Sequence, residues 1–347
     1  MTTRREGRAG AVLAAAGGVA DASGSAQSSS DAAFFAAYEW CLNPLASLGE
    51  TLARMGGELD RRESLTLPWQ REEAEINLFL LSAAACCAAD DYLAHRPWDL
   101  TRLARRLPRL GAGIKLAEMA LNLLPAVARA WHRPRIRRFR RELGRCADSI
   151  SEILAEPAGE TGERWARLRA AAEAAAALRL PAALLGWCAR IPDAFRCQDL
   201  SHHDAVALAR LFAQSRGRDF GPFIVVGVRT AGAYFAPLVK ASLARAGLAA
   251  RAWLTFRPKE GAAPAEVRRL RKLVAGGARV LLVDDTPNTG GTLVMMVALL
   301  RRCGTAPEDI VVLAPDHPAQ LDWQRELAPV LALTLSSRER HKERLLG

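Results

Sequence analysis

The chain has 347 residues, half of them hydrophobic, a mean hydropathy of zero and a net charge of +11. Such a chain reads as globular and soluble, with length enough for two domains that each bury a core. Seven cysteines (Cys41, Cys86, Cys87, Cys146, Cys188, Cys197, Cys303) without C-x-x-C spacing, and six histidines that make no zinc pattern with them, argue against a disulfide scaffold or zinc module.

Only five of the 48 basic residues are Lys, and Arg rises here together with Ala and Gly. Part of that bias is compositional, but the summed positive potential still predicts an anionic ligand or partner. Buried, reduced thiols in a cytoplasmic protein are the expected state of the cysteines.

Residues 1–30 read as a low-complexity tail: arginines, a weak Ala/Gly patch, then G-S-A-Q-S-S-S. The patch is poorer in Leu than a cleaved signal would be. From 31 to 190 the apolar spacing is helical, and Pro/Gly punctuation divides the region into five or six helices. One opens at L-P-W-Q-R-E-E-A-E, where Thr66 is placed to cap, Pro68 to fill the first turn, and Glu72 and Glu73 to favour the positive helix end. Those glutamates, Glu75 and the pair Asp90–Asp91 are a conceivable metal cluster, but helix-end electrostatics account for them more simply. The longest uncharged run, I-N-L-F-L-L-S-A-A-A-C-C-A-A at 76–89, is short of a membrane span, so a buried helix and no membrane contact are expected.

The tract R-A-W-H-R-P-R-I-R-R-F-R-R-E-L-G-R at 129–145 interleaves arginines with Trp131 and Phe139. Nucleic-acid contact would suit it. An amphipathic helix with a basic solvated face, packed by Ile136, Phe139 and Leu143, is favoured.

After residue 191 the texture changes. D-L-S-H-H-D-A-V-A-L-A-R-L-F (199–212) is a helix with a capping box of Ser201 and Asp204. Apolar strands then alternate with helices: strands at 223–228, 250–256, 280–285, 309–315 and 330–335, helices at 231–246, 264–275 and 291–302. This is the pattern of a parallel sheet covered on both faces, with ligands at the strands' carboxyl ends.

The loop after the third strand carries the chemistry. V-L-L-V-D-D-T-P-N-T-G-G-T (280–292) delivers Asp284 and Asp285 to the sheet edge, then turns through Thr289-Gly290-Gly291-Thr292 into a helix. The glycines and the helix N-terminus make an anion cradle, to which Thr286, Thr289 and Thr292 add hydroxyls. Two carboxylates beside it suit vicinal hydroxyls or a cation, so one ligand with a phosphate at one end and a diol at the other satisfies both. A Walker B strand is the competing reading, but no G-x-x-x-x-G-K-[ST] occurs in the chain. A receiver domain would leave T-G-G-T unexplained.

This stretch resembles the phosphoribosyl-pyrophosphate (PRPP) motif of type I phosphoribosyltransferases, departing at Pro287 and Asn288, where an aliphatic residue and Thr are common. G-V-R-T-A-G-A-Y-F (227–235) is similar to that family's pyrophosphate loop, with Arg229, Thr230, Ala231 and Gly232 at the contact positions. F-R-P-K-E-G-A-A-P (256–264) falls where the family has a mobile flap, which would close Arg257 and Lys259 over the pyrophosphate.

The resemblance implies a five-stranded parallel α/β domain over residues 191–347, preceded by an all-α domain over 31–190. It also implies transfer of 5-phosphoribose from PRPP with Mg²⁺. Asp284, Asp285, Arg257 and Lys259 would carry catalysis, the two aspartates meeting the metal indirectly through ribose hydroxyls or water. Arg229, Thr230, Ala231, Gly232 and 286–292 would bind the donor. The acceptor is a small, nitrogenous or other molecule not readable from the sequence, although Asp316 and His317 sit at the correct sheet edge. A homodimer is compatible with this reading. The rival is a non-catalytic PRPP-sensing regulator that contacts nucleic acid or protein through its basic helical domain.

Overall fold

The computed structural model describes residues 46–95, 98–156, 162–190, 200–216, 219–260, 262–287, 289–316 and 323–340. The expectations for the tail 1–30, Cys41, Cys197, Asn288 and His317 lie outside these residues. Residues from Pro44 onward form one compact unit.

The N-terminal part of this unit is helical: α1 (Leu48–Ser64), α2 (Pro68–Ala94), α3 (Thr101–Arg106), α4 (Gly111–Ala155), α5 (Gly162–Ala176) and α6 (Ala182–Leu185). α1 starts at a capping box in which Ser47 and Glu50 satisfy each other's backbone donors. α2 is buried almost all round from Ala74 to Tyr92, as a core helix must be when apolar residues occupy every face. Its start corrects the expected cap: Leu67, not Thr66, is the N-cap, no side chain caps it, and Pro68 fills the first turn.

The punctuation argument fails in α4, which runs 45 residues through Pro125 and Pro134. Burial of Ile136, Phe139 and Leu143 along one stripe of its C-terminal half holds it together. That is the packing expected of the arginine tract, while Arg137, Arg138 and Arg141 remain exposed.

The rest is α7 (His202–Ser215), β1 (Phe223–Val228), α8 (Gly232–Arg245), β2 (Trp253–Phe256), α9 (Pro264–Ala275), β3 (Arg279–Val283), α10 (Gly291–Arg302), β4 (Ile310–Pro315) and β5 (Leu331–Leu335). All five strands are parallel, in the order β2-β1-β3-β4-β5. β2 is shorter than expected, and Asp284 and Asp285 lie just beyond β3 rather than in it. The expected capping box of Ser201 and Asp204 is present on α7.

Alternate strand residues such as Ile224, Val226, Leu282 and Val312 face one core with Leu270 of α9 and Leu293, Met296 and Leu300 of α10. α7 and α8 lie over the other face, and α8 in turn packs against α2 and α4. Asp148 of α4 fastens this layer, accepting from Lys240 Nζ at 2.8 Å and from Trp253 Nε1 at 3.0 Å. The order of strands places β1 and β3 side by side, with their following helices on opposite faces. The crevice at their carboxyl ends is therefore the switch point where open α/β sheets bind ligands.

Candidate active site

Two loops meet at that crevice. The first leaves β1 through Arg229-Thr230-Ala231 and enters α8 at Gly232, folding back so tightly that the backbone of Gly232 touches that of Gly227. A Cβ on Gly227 would lie 2.1 Å from the Gly232 carbonyl oxygen, and one on Gly232 would lie 2.4 Å from the Gly227 backbone and 3.0 Å from the Val283 carbonyl oxygen. Glycine at both positions is thus what allows loop and strand end to pack against β3. The Arg229–Thr230 peptide bond is cis.

The second loop runs from Asp284 to Gly290. Gly290 is the N-cap of α10 with φ of 70°, a left-handed conformation that glycine adopts without steric cost. Trp323 closes over it, leaving no room for a side chain. The Asp284 carboxylate is buried and accepts from the Asp285 backbone N–H at 3.0 Å. Burial, and then the charge of Asp285, raise its pKa well above the ordinary carboxylate value, while Lys259 acts in the opposite direction. Thr286 is buried too, and its hydroxyl has no hydrogen-bond partner among the described residues. Pro287 is buried, whereas Thr289 and Gly291 are exposed and Thr292 is partly so. Two adjacent carboxyl groups and an orphaned hydroxyl, all offering oxygen atoms, fit both a hard cation such as Mg²⁺ and the hydroxyls of a sugar.

The arginines behave differently from expectation. The resemblance puts Arg229 at a pyrophosphate-contact position, but its side chain is 1% exposed and fully engaged. It donates to Asp91 Oδ1 at 3.1 Å, to Glu266 Oε1 at 2.6 Å, and to the Thr255 hydroxyl and carbonyl at 3.1 and 2.9 Å. A guanidinium this deeply buried needs carboxylates around it, and these hold it in the charged form against the cost of desolvation. Any anion at this position meets the backbone of the loop, not the Arg229 side chain.

Arg257 also turns to Asp91, at 2.6 and 3.2 Å, and reaches the Thr230 hydroxyl at 3.3 Å. Lys259, on the short 3-10 turn Pro258–Glu260, is exposed. One carboxylate of α2 thus ties together the loops after β1 and β2.

Sequence reasoning set Asp90 and Asp91 aside as helix-end charges; their partners are arginines. Asp90 accepts from Arg140 at 2.8 Å, Glu75 from Arg62 at 2.7 Å, and Glu73 from Arg61 at 2.8 Å. The signal that could have found them is the pairing of buried acids with an arginine excess, though a sequence does not show which arginine. Asp316 extends the end of β4: its backbone N–H donates to the Leu335 carbonyl of β5 and its carboxylate accepts from Thr334 at 3.2 Å.

Outside the crevice, Glu72, His202 and His203 bring ligand-type atoms within 4.8 Å of one another, with Glu72 Oε1 to His202 Nε2 at 4.0 Å. That is wider than the about 3.3 Å between donors on a shared tetrahedral zinc. A concavity of about 800 Å³, lined by Arg210, Arg216 and Arg245 among others, opens where α7 and α8 end, at the amino edge of the strands. None of the crevice loops reaches it.

Residues 200–328 match the family model of the phosphoribosyl transferase domain, a span that contains both crevice loops and the β2 turn. The helical region before it matches no family model. No curated protein and no solved structure matches the chain.

Proposed function

Starting from the phosphoribosyl transferase domain at 200–328, we propose that the protein transfers 5-phosphoribose from PRPP to a small acceptor and releases pyrophosphate. The observation that carries this reading is the meeting of Asp284, Asp285 and the T-G-G-T loop with the Gly227–Gly232 fold at the β1–β3 switch point. In the reaction the acceptor's lone pair forms a bond to ribose C1 as the bond from C1 to the pyrophosphate oxygen breaks. The electron pair leaves with pyrophosphate, and the acceptor's proton goes to solvent.

The donor's 5-phosphate sits on the N–H groups from Thr289 to Thr292, at the positive end of α10. Asp284 and Asp285 accept from the ribose hydroxyls and hold the ring while C1 becomes cation-like. The backbone of Thr230–Gly232 and the ammonium of Lys259 meet the charge growing on the leaving group. When bound, Mg²⁺ supplies Lewis-acid charge on the pyrophosphate, with Asp284 and Asp285 holding it through ribose hydroxyls or water. Closure of the 257–260 turn excludes water from the reactive centre. We place this activity in the cytoplasm, the compartment that buried thiols such as Cys86, Cys87 and Cys146 suit.

A second reading, a PRPP-binding regulator without turnover, is favoured by one observation. Arg257, the cation expected to clamp pyrophosphate, is neutralised by Asp91. Pyrophosphate release from PRPP and Mg²⁺ across a panel of nucleobases, amines and other small acceptors separates the two, with Asp284→Asn as the control. Turnover with one acceptor supports the transferase. Tight PRPP binding with no release across the panel supports the regulator, and absence of PRPP binding removes both.

A further inference from the structure

The first half of α4, with α3 and the turn between them, forms an arm whose amphipathicity is inverted. Positions 114, 118, 122, 125 and 129 recur every three to four residues and are the half-buried face. That inward face holds the polar groups: Asn122 donates to the Trp98 carbonyl at 2.8 Å and accepts from the Trp98 N–H at 3.2 Å, and Glu118 accepts from the Leu100 N–H at 3.2 Å. The opposite stripe is Leu116, Met119, Leu123, Val127 and Trp131. The first four are 60–65% exposed and Trp131 is 86% exposed. Leu103, Leu107 and Leu110 continue the exposed apolar surface towards α3.

Among the described residues, two helical segments are long and apolar enough to cross a membrane. In the most apolar 18-residue window of Pro68–Ala94, 89% of the residues are buried inside the protein, whereas in that of Pro108–Val127 none is fully buried. Lys115 and Glu118 interrupt the second segment, so no long uncharged run marks it in the sequence. A water-facing apolar stripe of this size marks a contact surface.

Charge decides the partner. Residues 98–138 hold ten Arg and Lys against Asp99 and Glu118, so +8 of the chain's +11 sits on and around the arm. The basic residues flank the apolar stretch on both sides, Arg102–Arg109 before it and Arg129–Arg138 after it. Pairing two copies through this stripe would set one +8 surface against another. An anionic bilayer takes the apolar stripe among its acyl chains and the flanking guanidiniums among its phosphates. Both ends of the arm return to the protein's core, through α2 and the buried half of α4, so the arm lies in the interface and does not cross it.

We propose that the α3–α4 arm is a membrane-surface anchor for anionic phospholipid bilayers, reversing the sequence-based expectation of no membrane contact. The inference is independent of the phosphoribosyl reading.

The test is flotation of the full-length protein with vesicles of phosphatidylcholine alone or with 30% phosphatidylglycerol. The same vesicles are offered to Met119→Ser/Leu123→Ser/Val127→Ser, whose changes lie on the solvent side of α4. Wild type should float with the anionic vesicles and the triple variant should bind at least about tenfold more weakly. Fluorescence lost on going from wild type to Trp131→Phe should be blue-shifted when anionic vesicles are present. The proposal is overturned if wild type stays unbound. It is also overturned if the triple variant binds like wild type, since binding is then by charge alone. A dimer in light scattering that the same triple substitution dissociates, without flotation, assigns the stripe to a second copy. Retention on nucleic acid without flotation assigns the arginines to that partner.

Discussion

Single residues at the crevice are set against stability. Burying the Asp284 carboxylate raises its pKa, so the folded state prefers it protonated. Its favourable contribution to stability is complete below the unfolded carboxylate pKa and is lost as pH rises through the higher folded value. Asp284→Asn should therefore raise thermal stability above that pH, by on the order of 1 kcal/mol, with the gain over wild type shrinking as pH falls. The same variant should weaken PRPP binding about tenfold or more, through loss of charge-assisted bonds to the ribose. A melting series between pH 4 and 8, with calorimetric titration, checks both; a destabilised variant at pH 8 would contradict the sign. Gly232→Ala is a steric case. Its Cβ falls 2.4 Å from backbone atoms, which cannot swing away as a side chain end could. The substitution should cost about 3 kcal/mol in denaturant unfolding and abolish PRPP binding.

At the level of elements, Asp91 shows why some of the site was legible and some was not. Strand-helix alternation and the D-D-T-P-N-T-G-G-T spacing are local patterns, and they placed Asp284, Asp285 and the α10 cradle at the sheet edge without help from the rest of the chain. The direction of the Arg229 side chain depends on a carboxylate 138 residues earlier in the chain, on a helix of no recognised family. Nothing near Arg229 in sequence reveals it. Pro134 misled for a related reason: tertiary burial of Ile136, Phe139 and Leu143 just after it outweighs a local breaker, whereas no burial of that kind surrounds Pro125 among the described residues. Asp91→Ala should destabilise the fold by about 3 kcal/mol in denaturant titration, the lower end for breaking a buried pair because Glu266 still faces Arg229. A variant with unchanged midpoint would show the bridge to be dispensable.

The whole molecule joins two regions that sequence texture separates at about residue 190. Asp148, Asp91 and the packing of α8 on α2 and α4 link them into one compact unit. A single unfolding transition is expected, with the burial-protected thiol of Cys86, whose pKa is pushed up to about 12, becoming reactive together with the loss of helical circular dichroism. PRPP at a hundred times its Kd should move that transition up by about 4 °C, helical and sheet signals together. Separate transitions would show that the two regions are only loosely docked. The path of α4 adds a mechanical corollary. At 1.5 Å per residue this helix is about 68 Å long; Pro125 removes one rung of its hydrogen-bond ladder within the bare half, and Pro134 removes one at the border with the buried half. The helix is therefore expected to yield to a sideways load near Pro134, so that force on the bare half is absorbed at the border before it reaches the crevice.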